Sequence, residues 1–285
     1  MQTIKLNTGR EMPMLGLGVF RISDKAQCRQ AVLHAIRTGY RLIDTATAYT
    51  NENAVGDAVR QAIDEGLCTR ENLFITSKVW VTDMKNADTT RRAVEKSLKT
   101  AGLEYFDLYL LHQAMNDYFS AWRGLQSAYK DGLTRAIGVS NFFPHALANL
   151  CECAEMRPAV DQIEISPFFI QKEALVNMKR YGVVPEAWAP LGGGRYHPYK
   201  NEVLKAIADA HGKTIAQVML RWNLERDVVV IPKAAQLEHV EENFQVWDFS
   251  LTDEEKKQIE SLDLGLGGQR TKHFDPDFVR MCLGK

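Results

Sequence analysis

Hydrophobic positions along the chain fall into short apolar runs separated by longer stretches of helical period. The runs are LGLGV (15–19), RLID (41–44), LFITSK (73–78), FDLYLLH (106–112), LTRAIGVS (133–140), AVDQIEIS (159–166), VVPEAW (183–188) and DVVVIPK (227–233). Each is too short for a helix and reads as a buried strand. Between them, 24–38, 52–65, 88–100 and 172–180 carry the spacing of amphipathic helices. Strand and helix in repeated alternation imply a parallel sheet covered on its outer face. Eight runs match the number that closes a (β/α)8 TIM barrel, so the expected fold class is α/β. The opening IKLNTGREMPML holds a Thr8-Gly9 turn between two extended pieces, a hairpin placed to plug the barrel bottom. A doubly wound open sheet shares the same alternation. Against it, Gly16-Leu17-Gly18 lacks the third glycine and the helix start of a dinucleotide fingerprint. No Pro- or Ser-rich linker interrupts the pattern, so residues 1–285 are expected to form one domain.

Composition narrows the function classes. The 285 residues are 45% hydrophobic and 25% charged, and Lys+Arg 35 against Asp+Glu 36 leaves a net charge of −1. Such a balance offers no field for nucleic acid or an anionic membrane. No apolar run approaches the roughly 20 residues of a membrane helix, and the start shows no signal-peptide pattern. The five cysteines form no CxxC, and Cys151 and Cys153 have no paired histidine. Reduced thiols in the cytoplasm, with no metal site, are the expectation.

Chemistry gathers where the strands end, the face on which parallel barrels carry their sites. Asp44 closes RLID, Lys78 closes LFITSK, His112 closes FDLYLLH, and Tyr49 follows five residues after Asp44. Taken singly, these are a helix cap, a solvated terminus, a structural histidine and a packed ring. Together, on successive strands, they bring a carboxylate, an ammonium, an imidazole and a phenol to one rim. Carbonyl reduction needs such a set, because the oxygen gains negative charge and must receive a proton. A phenol has an ordinary pKa near 10, and a neighbouring ammonium favours its ionised form. That reasoning predicts a Tyr49 made more acidic by Lys78, itself held charged by Asp44, with His112 aiming the carbonyl. The competing chemistry is a Schiff-base lyase, in which Lys78 attacks the carbonyl itself.

Six ordered blocks carry a resemblance: GYRLIDTATAYTNE (39–52), ITSKVW (75–80), DLYLLH (107–112), IGVSNF (137–142), VDQIEISPF (160–168) and VVVIPKAAQLEHVEENF (228–244). Through them the chain resembles the aldo-keto reductase superfamily over nearly its whole length. Its small bacterial-type members, the diketo-gluconate and methylglyoxal reductases, are the most similar in kind. The resemblance implies a barrel whose C-terminal loop lies over the active-site face. It also implies a nicotinamide cofactor held without a Rossmann fold, and a catalytic tetrad of Asp44, Tyr49, Lys78 and His112. Ser140, Asn141 and Gln162 would hold the nicotinamide carboxamide. Trp188, where most relatives have Tyr, would stack on the ring. Leu191 and Gly193 would meet the pyrophosphate, Lys233 and His239 the ribose 2′-phosphate, and Glu242 and Asn243 the adenine. Alternative roles are a strand-to-helix cap for Ser140 and Asn141 and a solvated helix face for Glu242 and Asn243. Relatives selective for NADPH carry Ser and Arg at Ala234 and His239, so NADPH is expected with NADH also used. Phe20 and Trp80 would wall the substrate pocket unless they are core. Gln113, where many relatives have Trp, would open and polarise it. A small-molecule carbonyl substrate and a monomer are expected; some relatives act instead as non-catalytic nucleotide sensors.

Overall fold

A computed structural model describes residues 2–285. Two short strands, β1 (Thr3–Lys5) and β2 (Glu11–Pro13), pair antiparallel with Ile4 opposite Met12. Gly9, at φ 82°, makes the turn between them. Eight parallel strands follow: β3 (Gly16–Gly18), β4 (Leu42–Asp44), β5 (Phe74–Val79), β6 (Leu108–Leu111), β7 (Ile137–Ser140), β8 (Val160–Glu164), β9 (Val184–Trp188) and β10 (Val229–Val230). Each pairs with its sequence neighbour. Bridges from Leu15 to Val230 and from Gly18 to Lys233 join the first strand to the last. Backbone N–H groups of Val230 and Gly18 donate across this seam to Met14 and Pro232 at 2.9 and 3.1 Å. The seam decides between the two candidate architectures in favour of a barrel.

The helices begin and end where local chemistry directs. Asp24 accepts from the Gln27 backbone N–H at 2.7 Å and starts the helix Lys25–Thr38, which Gly39 ends at φ 120°. Asn86 and Thr89 form a reciprocal cap for Ala87–Ala101, as Thr214 and Gln217 do for Ile215–Leu224. The helical stretches anticipated at 24–38, 52–65, 88–100 and 172–180 appear as Lys25–Thr38, Glu52–Asp64, Ala87–Ala101 and Lys172–Tyr181.

Strand alternation divides the interior into two cores. Ile43, Ile75, Tyr109, Val139 and Ile163 point outward and pack under the helices. Leu42, Phe74, Leu108, Val160, Val184 and Val229 share the opposite parity and fill the barrel's lower half, where Leu6 and Met12 from the hairpin segment close it. Two residues further along, the same inward parity leads to Asp44, Thr76, Leu110, Gln162, Glu186 and Ile231. Four of these six are polar. The barrel is therefore greasy at its hairpin end and polar toward the strand C-termini, which is where a site must lie.

The tightest helix contact in the outer layer leaves no room for a side chain. A Cβ on Gly56, in the helix Glu52–Asp64, would lie 1.6 Å from the backbone oxygen of Ala101. In an exposed helix, Gly→Ala stabilises by about 1 kcal/mol. Here the sign reverses: Gly56→Ala is expected to destabilise by at least roughly 1–3 kcal/mol, the cost of overpacking. Urea unfolding measures this, and a variant as stable as wild type would show that the two helices separate freely.

Candidate active site

Lys78 has no exposed surface, although it ends in an ammonium. Its Nζ donates to Asp44 Oδ1 at 2.6 Å and to the Thr45 carbonyl at 2.9 Å, and lies 3.4 Å from the Tyr49 hydroxyl. Asp44 and Lys78 arrive from neighbouring strands. Tyr49 is carried by the 3-10 turn Thr47–Tyr49, whose Thr47 hydroxyl is pinned to the Lys78 carbonyl at 3.0 Å. Burial opposes the charge on Lys78, yet Asp44 and Tyr49 more than offset it and hold its pKa above the ordinary lysine value. Burial lifts Asp44 above the usual carboxylate range, while Lys78 and Gln162 pull it back.

The acidity expected for Tyr49 needs correction. Burial raises its pKa first, Lys78 lowers it as anticipated, and the charge of Asp44 raises it again, so the net direction is upward. The ammonium is visible in the sequence; the desolvation of the phenol is a property of the fold. The resting site thus contains an intact phenol. His112 shifts the other way: burial, then Lys78, then His273 push it well below the ordinary histidine value. A neutral imidazole has one N–H donor and one acceptor. His112 stands edge-on to Trp80, with centroids 5.0 Å apart at 87°, and Phe20 lies 4.9 Å from the Tyr49 ring. The four tetrad residues, Phe20 and Trp80 therefore meet at one mouth. Phe20 is 45% exposed, so it is not core.

The residues assigned to the nicotinamide converge beside this group. Ser140 Oγ donates to the Gln162 carbonyl at 2.8 Å, and Asn141 Nδ2 donates to the His112 carbonyl at 3.0 Å. Asn141 takes a left-handed backbone, φ 61°, that turns its side chain back over the barrel mouth. Trp188 Nε1 donates to Asn141 Oδ1 at 2.9 Å, which locks the indole's tilt. Gln162 Nε2 bonds both Asp44 Oδ2 and Glu186 Oε2 at 2.8 Å. Leu191 leads into the glycine turn Gly192–Gly194, where all three glycines have positive φ.

Residues assigned to the adenosine end lie elsewhere. Lys233 follows β10 next to Gly18, exposed, and His239 is exposed on the first turn of the helix Leu237–Phe244. Asn243 is buried, and Glu242 Oε1 accepts from the Thr214 hydroxyl at 2.8 Å, tying two helices together. The structure does not bring these four into contact with the tetrad.

The chain matches the family model described as aldo/keto reductase family over residues 14–264. It is 45% identical to the glyoxal reductase of Bacillus subtilis (strain 168), with 92% of each chain covered. The methylglyoxal reductase DkgA of Salmonella typhimurium is 40% identical, with 96% of each covered. The protein belongs to the aldo/keto reductase family. The fold agrees: a crystal structure of a Bombyx mori aldo-keto reductase in complex with NADP superposes with a TM-score of 0.90. That pair is 33% identical and covers 97% of this chain and 96% of that one. Members of the family are NAD(P)H-dependent oxidoreductases acting on small carbonyl compounds. Among the described residues of this reductase, no helix is long and apolar enough to cross a membrane.

Glu186 and Arg195 escaped the sequence reading, whereas Arg270 and His273 lie in the tail expected over the active-site face. Glu186 hides inside the apolar run VVPEAW, where only the inward parity signals it. Arg195, Arg270 and His273 belong to the loop after β9 and to the tail. The tail does lie over the strand C-termini, as the resemblance implied. Arg270 and Arg195 stand close enough for their charges to act on Glu164, and Arg21 and Arg195 close enough to act on Arg270. A Cβ on Gly193 would lie 2.7 Å from Arg270 Nη1. His273 Nδ1 shares a hydrogen bond with Gln113 Oε1 at 2.9 Å. Both line a cavity of about 300 Å³ with Asn141, Phe143, His145 and Phe274. Gln113 thus places a polar side chain on this cavity, with its carbonyl end already paired.

Glu164, at the end of β8, anchors the tail by accepting the Arg270 backbone N–H at 2.8 Å. Burial pushes its pKa from 4.5 up to about 7, against the pull of the Arg270 and Thr271 backbone N–H groups. The folded value exceeds the unfolded one, so the folded protein holds the extra proton between them. Stability from a neutral Glu164 is full below about pH 4.5 and is lost as pH rises through about 7. Glu164→Gln should remove up to about 1.4 kcal/mol per pH unit from the stability slope in that window. Urea unfolding at pH 5, 6, 7 and 8 tests this, and parallel slopes for both proteins would show that Glu164 is ionised throughout.

Proposed function

We propose that this protein reduces small aldehydes and ketones, dicarbonyls and keto-acids or keto-sugars foremost, with NADPH as hydride donor. In this reading the whole chain works as one cytoplasmic, monomeric barrel domain. The observation that carries it is the buried Lys78–Asp44 ion pair, 2.6 Å long, in reach of the Tyr49 hydroxyl and beside a neutral His112. The names of the Bacillus and Salmonella relatives, glyoxal and methylglyoxal reductase, support the dicarbonyl class. The polar pair Gln113–His273 at the cavity suits such oxygen-rich substrates.

The residues present fit a nicotinamide dinucleotide. Asn141, Gln162 and the indole of Trp188 gather next to the tetrad, Asn141 hydrogen-bonded to the His112 carbonyl, Gln162 to Asp44 and Trp188 to Asn141. Arg21, Arg195 and Arg270 crowd the glycine turn with positive charge that a pyrophosphate would neutralise. Lys233, at the far edge, suits a 2′-phosphate. When bound, the nicotinamide supplies hydride to the carbonyl carbon. The protein does the rest. His112, neutral, donates a hydrogen bond that aims the carbonyl oxygen, and Tyr49 gives that oxygen its proton. Lys78 then faces the developing phenolate, which it stabilises more than the phenol, so its help is largest as the proton leaves. Asp44 keeps Lys78 charged throughout. A neutral His112 has no imidazolium proton to spend, which favours Tyr49 as the acid.

Schiff-base chemistry would need a neutral, approachable amine at Lys78. An ammonium with no exposed surface and a carboxylate at 2.6 Å is neither. An intact tetrad likewise favours turnover over mere nucleotide sensing.

Tyr49→Phe should lower kcat for methylglyoxal reduction by roughly 10²–10⁴-fold, the worth of general acid catalysis. NADPH binding, followed by quenching of tryptophan fluorescence, should persist. A variant that keeps more than half of wild-type kcat would transfer the proton to His112. Cofactor choice is tested separately. His239→Arg places a bidentate guanidinium near Lys233, and a charged hydrogen bond of about 1.5–3 kcal/mol should raise the NADPH/NADH ratio of kcat/KM roughly tenfold to a hundredfold. An unmoved ratio would mean that His239 does not face the phosphate.

A further inference from the structure

Glu186 is a carboxyl with no exposed surface in the middle of a barrel strand. The inward positions on either side of it in β9 are Val184 and Trp188. Its Oε2 accepts from Gln162 Nε2 at 2.8 Å, and the same nitrogen donates to Asp44 Oδ2 at 2.8 Å. The Asp44 carboxylate can only accept, so it requires the N–H end of that amide and fixes which way Gln162 faces, with Glu186 accepting from the same nitrogen. Its Oε1 is then the end left for the nicotinamide carboxamide. A continuous chain results: Glu186, Gln162, Asp44, Lys78, Tyr49. An apolar residue of similar size would cost less to bury, and holding Gln162 alone does not require a second acid, because Asp44 already orients it.

We propose that Glu186 is a positioning residue for the proton-donating phenol, clamping Asp44 through Gln162 and setting by its own charge how strongly Lys78 acts on Tyr49. The proposal rests on Tyr49 being the acid. The titratable groups facing Glu186 are Asp44 from β4 and Lys78 from β5, with Tyr49 beyond them. The residues paired with it on the flanking strands are Gln162 and Val229, neither of which titrates. Burial first, and the charge of Asp44 second, push its pKa up to about 8. At neutral pH Glu186 is therefore an uncharged acid, and Lys78 faces a single anion. Above about pH 8 a second anion appears in the same buried space. Lys78 is then shared between two carboxylates, and the added charge holds the phenolic proton more tightly. Tyr49 becomes a weaker acid before it has itself ionised.

Glu186→Gln keeps an acceptor for Gln162 and cannot ionise; Glu186→Met cannot ionise and offers no acceptor. With saturating NADPH and methylglyoxal, wild-type kcat should fall about threefold in a step near pH 8, half of a tenfold change in acid strength on a logarithmic scale. Normalised to their own plateaus, both variants should lack that step. A purely structural residue would scale the profile without changing its shape. The infrared spectrum of the protein without cofactor gives a second readout that does not depend on Tyr49. In the difference between wild type and whichever variant folds, from which the Glu164 carboxyl common to both cancels, a protonated-carboxyl band present at pH 6.5 should disappear as pH rises to 9.5. Superposable pH profiles, or a difference spectrum in which no carboxyl titrates between those limits, overturn the proposal. A carboxyl that titrates while Tyr49→Phe remains active would leave Glu186 ionising as described and remove Tyr49 as the acid instead.

Discussion

Everything at this site depends on keeping one ammonium out of water. An isolated lysine in the barrel interior would surrender its proton, because desolvating a single charge costs several kcal/mol even after relaxation. Lys78 keeps its proton because Asp44 and the Thr45 carbonyl take two of its three hydrogens, and the Tyr49 hydroxyl stands near the third direction. That geometry needs β4 and β5 in their observed register, which sets Asp44 beside Thr76, two residues before Lys78. The register in turn needs the closed sheet and the apolar lower half of the barrel. Leu42 and Phe74, on the same two strands and the same face, are the ballast beneath the ion pair. A slip of one residue would turn Asp44 and Lys78 toward the helices.

Much of this was legible in the sequence because it depends on parity and strand ends alone. Runs of the right length gave the strands, and their last inward residues, Asp44, Lys78 and His112, carried the chemistry. The Thr8-Gly9 hairpin and the four helices follow from equally local signals. What stayed hidden required distances through space. The direction of the Tyr49 shift turns on how deeply its hydroxyl is buried, and no spacing reveals that. Glu186 reads as one polar interruption in VVPEAW until its parity is matched with Gln162 on the next strand. Arg270 and His273 come from a tail whose path across the barrel mouth is set by tertiary contacts, such as the approach of Gly268 to the Phe168 carbonyl. The Glu242–Thr214 contact also shows a residue assigned to adenine spending one oxygen on helix packing.

The interior acids separate into two kinds. Asp44 has a cation at contact distance, and its charge is part of the site. Glu186 and Glu164 have no lysine ammonium or arginine guanidinium at hydrogen-bond distance, and burial raises both toward or above neutrality. A barrel that buried three carboxylates against one ammonium would be unstable. One that keeps a single ion pair and holds the other two acids near neutral avoids most of the desolvation and retains their hydrogen bonds. Asp44 and Glu186 thereby share proton affinity across Gln162 and beside Lys78, so neither titrates independently of the other.

That sharing constrains how such a site can diversify. The ion pair, the phenol and the imidazole are supported from inside the barrel, by strands whose inward residues cannot change without altering charge balance. The cavity beyond them is lined by Gln113 and Asn141 from strand ends and by His273 and Phe274 from the tail. Its polar contact between the two, Gln113 to His273, touches none of the tetrad's own hydrogen bonds. Burial holds the His273 imidazole neutral, with its pKa lowered to about 4, so the tail contributes shape and hydrogen bonding there without adding charge beside His112. Substitution at Gln113 or along the tail can therefore reshape which carbonyl compound fits while the desolvated ion pair, and the proton it governs, stay as they are.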